Sequence, residues 1–274
     1  MPKEESLALD EMRRVVKGSV LWKEIIYRKQ VESTNDVAKD LASRGAKDGT
    51  IVVAEEQTAG RGRLGRRWLA PPGTCVLCSL LFRPDLRPKQ AHQMTMVCSM
   101  AAADAVERVT DLSVGLKWPN DLVIRSRTPD SRRPTWRKLA GVLTESGLVN
   151  TSLDFVIVGI GMNVNVSREI LPGLAPNATS ILAETGQEAD RSTLLMHLLE
   201  GTEERYRRFE GEESPHREWA ARLITLGRQV GVTTSEGVLN GVAEAVDETG
   251  ALLLRTEDGS LHRLLAGDVT LNRT

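Results

Sequence analysis

Gly60, Gly62 and Gly65 alternate with Arg61, Arg63, Arg66 and Arg67 in the run Glu55-Glu-Gln-Thr-Ala-Gly-Arg-Gly-Arg-Leu-Gly-Arg-Arg-Trp68. Arginine offers a planar, permanently charged fork that matches carboxylates and phosphates. Glycine lets the backbone turn with positive φ or approach a ligand closely. The pattern predicts a mobile loop, leaving a strand over Thr50–Ala54, that wraps an anionic ligand. Two other readings compete: a solvated basic loop, or an Arg/Gly segment that holds nucleic acid through phosphate charge alone.

Further groupings carry polar chemistry. Ser33-Thr-Asn35 opens a helical pattern with Val37, Ala38 and Leu41 on one face. Ser33 suits the N-cap, Asp36 stands three residues on as an acidic capping-box analogue, and Gly45 suits the stop. The same three side chains could instead face a ligand. In Lys117-Trp-Pro-Asn-Asp121 a lysine, an amide and a carboxylate converge on a turn beside an indole, although Pro-Asn-Asp is also ordinary hairpin chemistry. Gly159-x-Gly161-x-Asn163 resembles half of a dinucleotide fingerprint. It lacks a third glycine and a following helix, so it reads as a strand whose small residues let a ligand lie on the sheet.

Metal chemistry is not supported. Cys75 and Cys78 have C-x-x-C spacing, but they fall in an apolar strand where positions i and i+3 point to opposite faces. No second Cys/His pair with zinc spacing follows, and His92, His197, His216 and His262 are scattered.

The elements that must position these groups fill a chain of 274 residues, enough for a large domain and a small one. Lys and Arg number 36 against 37 Asp and Glu, so no global field draws the chain to nucleic acid or membrane, and any basic site is local. Without a membrane-length apolar run or a signal-peptide core, a cytoplasmic protein is expected. Residues 1–30 form an N-terminal extension, with a short helical pattern and a strand around Val20–Tyr27. It is too short for a winged helix-turn-helix. Residues 31–226 form the main domain, with strands over Cys75–Phe82, Lys138–Glu145 and Phe155–Asn165 and long helices over Gln90–Val109 and Arg191–Phe209. Between them lie a basic, proline-broken loop at 125–137, read as mobile, and an irregular stretch at 167–189. Residues 227–274 alternate short strands with Asp/Glu/Gly turns, as in a small SH3-like β-barrel.

Taken together, Ser33-Thr-Asn35, Gln57-x-x-Gly60-Arg-Gly-Arg63-x-Gly65-Arg66-x-Trp68, Lys117-Trp-Pro-Asn-Asp121, Lys138-Leu-Ala-Gly-Val-Leu-Thr-Glu145 and Gly159-x-Gly161-x-Asn163 resemble the biotin–protein ligases, also called biotin–acetyl-CoA-carboxylase ligases. Five motifs in the family's order and spacing, from about residue 31 to 165, make the resemblance specific, and the barrel-like tail agrees.

The resemblance implies an α+β fold: a mixed sheet with flanking helices, like the catalytic domain of class II aminoacyl-tRNA synthetases, followed by the small barrel. It implies that biotin and ATP, with Mg2+, give biotinyl-5′-AMP and pyrophosphate, after which a lysine of a biotin carboxyl carrier protein attacks the mixed anhydride. By analogy Ser33, Thr34, Asn35 and Gln57 bond biotin's ureido ring and carboxyl end. Arg61, Gly62 and Arg63 cover biotin and the adenylate. Lys138 neutralises the carboxylate and phosphate, and Lys117 and Arg66 meet the ATP phosphates. Trp68 folds against adenine, Asn120 and Asn163 serve ATP or its magnesium, and Asp121 receives the acceptor amine's proton. No side-chain cluster for a resident metal is implied. The missing DNA-binding module argues against the repressor activity of bifunctional members. A homodimer is left open.

The nearest alternative is a lipoate–protein ligase or octanoyltransferase of the same fold. A biotin-binding regulator without catalysis would need the missing DNA-binding module. An RNA-binding Arg/Gly protein fits poorly with near-zero net charge and 4% aromatic residues.

Overall fold

The computed structural model describes residues 7–126, 135–210 and 213–271. The main body runs α1 (Leu9–Gly18), β1 (Glu24–Val31), α2 (Thr34–Ser43), β2 (Thr50–Gln57), β3 (Cys75–Phe82), α3 (Gln93–Val109), β4 (Val114–Lys117), β5 (Asp121–Ser126), β6 (Thr135–Val149), β7 (Ser152–Asn163), α4 (Leu171–Leu174), α5 (Ile181–Thr185), α6 (Arg191–Glu210) and α7 (His216–Arg222). The tail follows as β8 (Gln229–Thr234), β9 (Gly237–Val246), β10 (Leu252–Thr256), β11 (Leu261–Leu264) and β12 (Asp268–Leu271).

β1 to β7 form one mixed sheet in the order β1-β2-β3-β7-β6-β5-β4, with only β1 and β2 parallel. β3 is buried along its whole length, which requires cover on both faces and explains its unbroken apolar run. Strand alternation sends Val76, Cys78, Leu80 and Phe82 into the main core, where α3 and α6 pack. Cys75 and Leu77 point the other way, against Val166, Leu171, Ala178 and Ala183, while Leu81 meets Ala38 and Ala42 of α2. The second face therefore has two separate covers, α2 and the α4–α5 segment. Ser79, Gly159 and Gly161 lie on the strands between them.

Burial pushes the Cys75 thiol up to about 11 and the Cys78 thiol up to about 12, so both are packing groups rather than thiolate ligands. Among the described residues no group of His, Cys, Asp and Glu could hold a metal ion. Among them, too, no helix is long and apolar enough to cross a membrane.

The tail forms a five-stranded antiparallel sheet, β11-β10-β9-β8-β12, as the turn-rich composition predicts. Trp118 seats it on the main body. This indole is fully buried, donates from Nε1 to Gly250 O at 2.9 Å, and its amide donates to Thr225 Oγ1 at 3.0 Å.

Several expected boundaries move. The strand expected around Val20–Tyr27 runs instead over Glu24–Val31, because the preceding residues bind α6: Ser19 Oγ and the amides of Val20 and Leu21 donate to Glu203, and Trp22 Nε1 to Leu199 O. The long helix starts at Gln93, after a 3-10 turn at Pro88–Gln90. The stretch expected to be irregular contains α4 and α5. Of the basic loop at 125–137, Arg125 and Ser126 belong to β5 and Thr135–Arg137 to β6, while 127–134 lie outside the described residues.

Candidate active site

A cavity of about 430 Å³ opens between the two covers of the second face. Ser33, Thr34, Asn35, Gln57, Arg61, Gly62, Arg63, Arg66, Trp68, Lys117, Asn120, Asp121, Lys138 and Asn163 all line it. Groups separated by up to 130 positions thus converge, since the sheet order brings the ends of β2, β5, β6 and β7 beside the start of α2.

One end of the cavity is neutral and internally bonded. Thr34 donates to Gln57 Oε1 twice, from its amide at 2.7 Å and its hydroxyl at 2.9 Å. Ser79 Oγ lies 2.6 Å from Asn35 Oδ1 and 2.7 Å from Thr34 Oγ1, and its single proton serves one of them at a time. Gly159 makes room for this arrangement: a Cβ there would come within 2.2 Å of Asn35 Oδ1. The capping reading of this stretch needs correction. Ser33 holds the N-cap position of α2, but its hydroxyl makes no capping bond. Asp36 pairs with Arg61 rather than closing a capping box, a charged partner outweighing a backbone amide.

The other end is crowded with cations, and each acid that meets them arrives from a different element. Lys138 Nζ lies 2.6 Å from Asp121 Oδ1. Arg61 lies between Asp36 and Glu145, 3.2 Å from the latter. Arg66 pairs with Asp268 of the tail sheet, and Arg63 Nη1 donates to Gly267 O at 3.2 Å. Lys117 has no ion-pair partner among the described residues. Burial pushes it below the ordinary lysine value; Lys138 and Arg66 add to this, while Asp121 and Asp268 oppose it. Burial also lowers Arg63, against the pull of Asp268 and Asp121. Such a cluster is ready to exchange internal acids for an incoming carboxylate or phosphate.

The Gly/Arg loop is a compact hairpin. Arg61 and Arg67 form an antiparallel bridge, Gly62 N donates to Arg66 O at 2.7 Å, and Trp68 N to Gly60 O at 2.9 Å. Leu64 and Gly65 turn its tip with φ of 55° and 73°. At its end the Trp68 indole lies on the sheet, where a Cβ on Gly161 would come within 2.5 Å of it. Lys138 Nζ stands 5.5 Å from the ring centre, within cation–π range.

The two asparagines differ. Asn120 exchanges bonds with Val142: Asn120 Nδ2 donates to Val142 O at 2.6 Å and Val142 N donates to the Asn120 backbone O at 2.9 Å, which aligns the turn with β6. Asn163 is buried; its Nδ2 donates to Thr179 O at 3.0 Å and its Oδ1 faces Cys75 Sγ.

Sequence reasoning missed the contribution of the tail and of the irregular stretch. Asp268, Val269 and Thr270, with Leu174, Ala175, Asn177 and Ala178, also line the cavity. A Gly-Asp turn is too common a signal to reveal the first set. The second is placed by backbone pairing: Lys138 N donates to Asn177 O at 2.7 Å and Thr179 N to Lys138 O at 2.8 Å.

Comparison with known proteins agrees with this geometry. Residues 27–163 match the biotin/lipoate A/B protein ligase family, and residues 225–271 the biotin protein ligase C-terminal domain. The chain is 32% identical to the bifunctional ligase/repressor BirA of Bacillus subtilis, over 97% of this chain and 79% of that one. It is also 32% identical to the biotin–[acetyl-CoA-carboxylase] ligase of Mycobacterium tuberculosis, over 90% and 89%. Among solved structures, the biotin protein ligase of Aquifex aeolicus in complex with biotin and ATP superposes with a TM-score of 0.72 at 32% identity, covering 92% of this chain and all of that one. The chain belongs to the biotin/lipoate A/B protein ligase family.

Proposed function

We propose that this chain joins biotin to ATP in the cavity, forming biotinyl-5′-AMP and releasing pyrophosphate, and then transfers the biotinyl group to a lysine of a biotin carboxyl carrier protein. The observation that carries the reading is the two-ended cavity: a neutral hydrogen-bonding end continuous with a cationic end. A small molecule with a polar ring and a carboxylate, such as biotin, spans both. Lipoate and octanoate end in a dithiolane or an alkyl chain and would offer the polar end around Ser33, Thr34, Asn35 and Gln57 no hydrogen bonds, a poorer match than a polar ring.

In the first step a biotin carboxylate oxygen attacks the α-phosphorus, the new O–P bond forms, and the bond to pyrophosphate breaks. Two anions must meet, so fixed cations supply the main stabilisation. Lys138 and Arg63 serve the reacting carboxylate and α-phosphate, and Lys117 and Arg66 the departing phosphates. Magnesium enters with the nucleotide as part of the substrate, and Asn120 and Asn163, which line the cavity, are the side chains that would serve the nucleotide or its ion. Trp68 and the adenine ring share the sheet surface around Gly161. In the second step the acceptor amine attacks the acyl carbon and AMP leaves. A free lysine has a pKa of about 10.4 and must shed a proton. Asp121 takes it once the acyl phosphate has drawn Lys138 away. A cytoplasmic location, where ATP is at hand, is part of the same proposal.

The test is biotin-dependent exchange of labelled pyrophosphate into ATP, run beside lipoate and octanoate. Exchange with biotin alone is expected. Exchange with lipoate or octanoate alone, or none at all, overturns the reading.

A further inference from the structure

Glu145 ends the Lys138–Glu145 motif and has no role in the steps above, yet three donors from two separate parts of the chain converge on it. Asn35 Nδ2 donates to its Oε2 at 2.7 Å, Arg61 Nη2 lies 3.2 Å from the same oxygen, and Lys39 pairs with Oε1. Asn35 and Arg61 line the cavity, whereas Glu145 stands behind them on β6. We infer that Glu145 is a positioning residue, fixing the Asn35 amide at the ring end and holding the Arg61 end of the Gly/Arg hairpin in register with it. The inference rests on the biotin-ligase reading of the cavity and assigns a further residue to it.

An amide can turn over at little steric cost, because its oxygen and nitrogen have the same shape. Here Asn35 Oδ1 faces Ser79 Oγ and the space left by Gly159, while Nδ2 faces Leu143 O at 3.3 Å and Glu145. A carboxylate is only an acceptor, so Glu145 admits one orientation of that amide. The same oxygen, with Asp36, holds the Arg61 guanidinium. Asp36 is about half exposed and sits on α2 itself; Glu145 is 23% exposed and stands on the sheet, so of Arg61's two acids it is the one that ties this end of the hairpin to the sheet. Lys39 offsets the acid's charge. Burial favours the neutral acid, but the bonds from Lys39 and Asn35 and the charges of Lys39 and Arg61 outweigh it and hold Glu145 below the ordinary glutamate range. It remains an anion at neutral pH.

Glu145→Gln keeps the size, removes the charge and lets the new amide present a donor to Asn35. In pyrophosphate exchange the biotin KM should rise roughly ten-fold, the size expected for losing one charge-assisted bond, with the ATP KM little changed. In the free protein, trypsin should cut the 61–67 segment faster in the variant than in the wild type, which requires no biotin activity. A purely structural role would instead move both KM values and the melting temperature together. Should Glu145→Gln fail to fold, Glu145→Asp, which keeps the charge but withdraws it by one carbon, carries the same two measurements. An unchanged biotin KM with an unchanged cleavage rate overturns the inference. Absence of wild-type exchange overturns the ligase reading, while the cleavage comparison still decides whether Glu145 holds the hairpin.

Discussion

The two ends of the cavity are built on opposite principles. At the ring end Thr34, Asn35, Gln57 and Ser79 join through short neutral hydrogen bonds on a surface cleared by Gly159, with the Asn35 amide held from behind by Glu145. At the charged end Lys117, Lys138, Arg61, Arg63 and Arg66 crowd together, and Asp36, Asp121, Glu145 and Asp268 balance most of their charge. The first end is preorganised by geometry. The second is preorganised by borrowed anions that a substrate can replace. Under the proposed function, selectivity for the acid belongs to the ring end, and rate to the charged end.

Breaking the charged end at its centre should have the largest effect. Lys138→Ala removes the cation that the proposed mechanism sets against the reacting carboxylate and phosphate, and pyrophosphate exchange should fall roughly 10²–10³-fold. A variant that keeps near wild-type exchange would remove Lys138 from the reaction. Asp121→Asn comes next and separates the two steps. Transfer to the carrier lysine should slow roughly a hundred-fold while adenylate formation is nearly preserved, as single-turnover assays on each step would reveal. Equal losses in both steps would leave Asp121 only as Lys138's partner.

The ring end is tested by Gly159→Ala. Its Cβ would lie 2.2 Å from Asn35 Oδ1, so Asn35 must shift. The biotin KM should rise about ten-fold, with the ATP KM near wild type; a rise confined to ATP would reverse the assignment of the two ends. The smallest effect belongs to the exposed Arg66–Asp268 pair. Asp268→Asn should change the ATP KM two- to five-fold, roughly the scale of surface ion pairs, and the change should shrink at high salt. An effect as large as that of Lys138→Ala would make the tail sheet a direct part of the reaction.

Much of this site is legible in the sequence because its groups come in short runs. The strand over Cys75–Phe82 and the hairpin at Lys117–Asp121 announce themselves by apolar runs and turn chemistry. Gly159-x-Gly161 announces a cleared strand by what it lacks. The individual hydrogen-bond choices are not legible. Ser33 and Asp36 have the types and spacing of a capping box, yet Asp36 goes to Arg61, a residue 25 positions away, because only the folded chain brings a guanidinium beside the first turn of α2. Trp118, read from the sequence as an indole beside a site, does line the cavity, and only the folded chain shows that it is also the buried seat of the tail sheet.

By itself, the sequence determined the residue types that can bind an anion and bond a polar ring, the barrel-like tail and, through five motifs in order, a family resemblance that implied the mixed sheet. These are local or cumulative properties. The tertiary structure alone decided which acid meets which cation: Asp121 on Lys138, Glu145 behind Asn35 and Arg61, Asp268 of the tail on Arg66. Charge partners are chosen by distance across the sheet and between the two sheets, and distance in space is what a linear pattern of side chains does not carry.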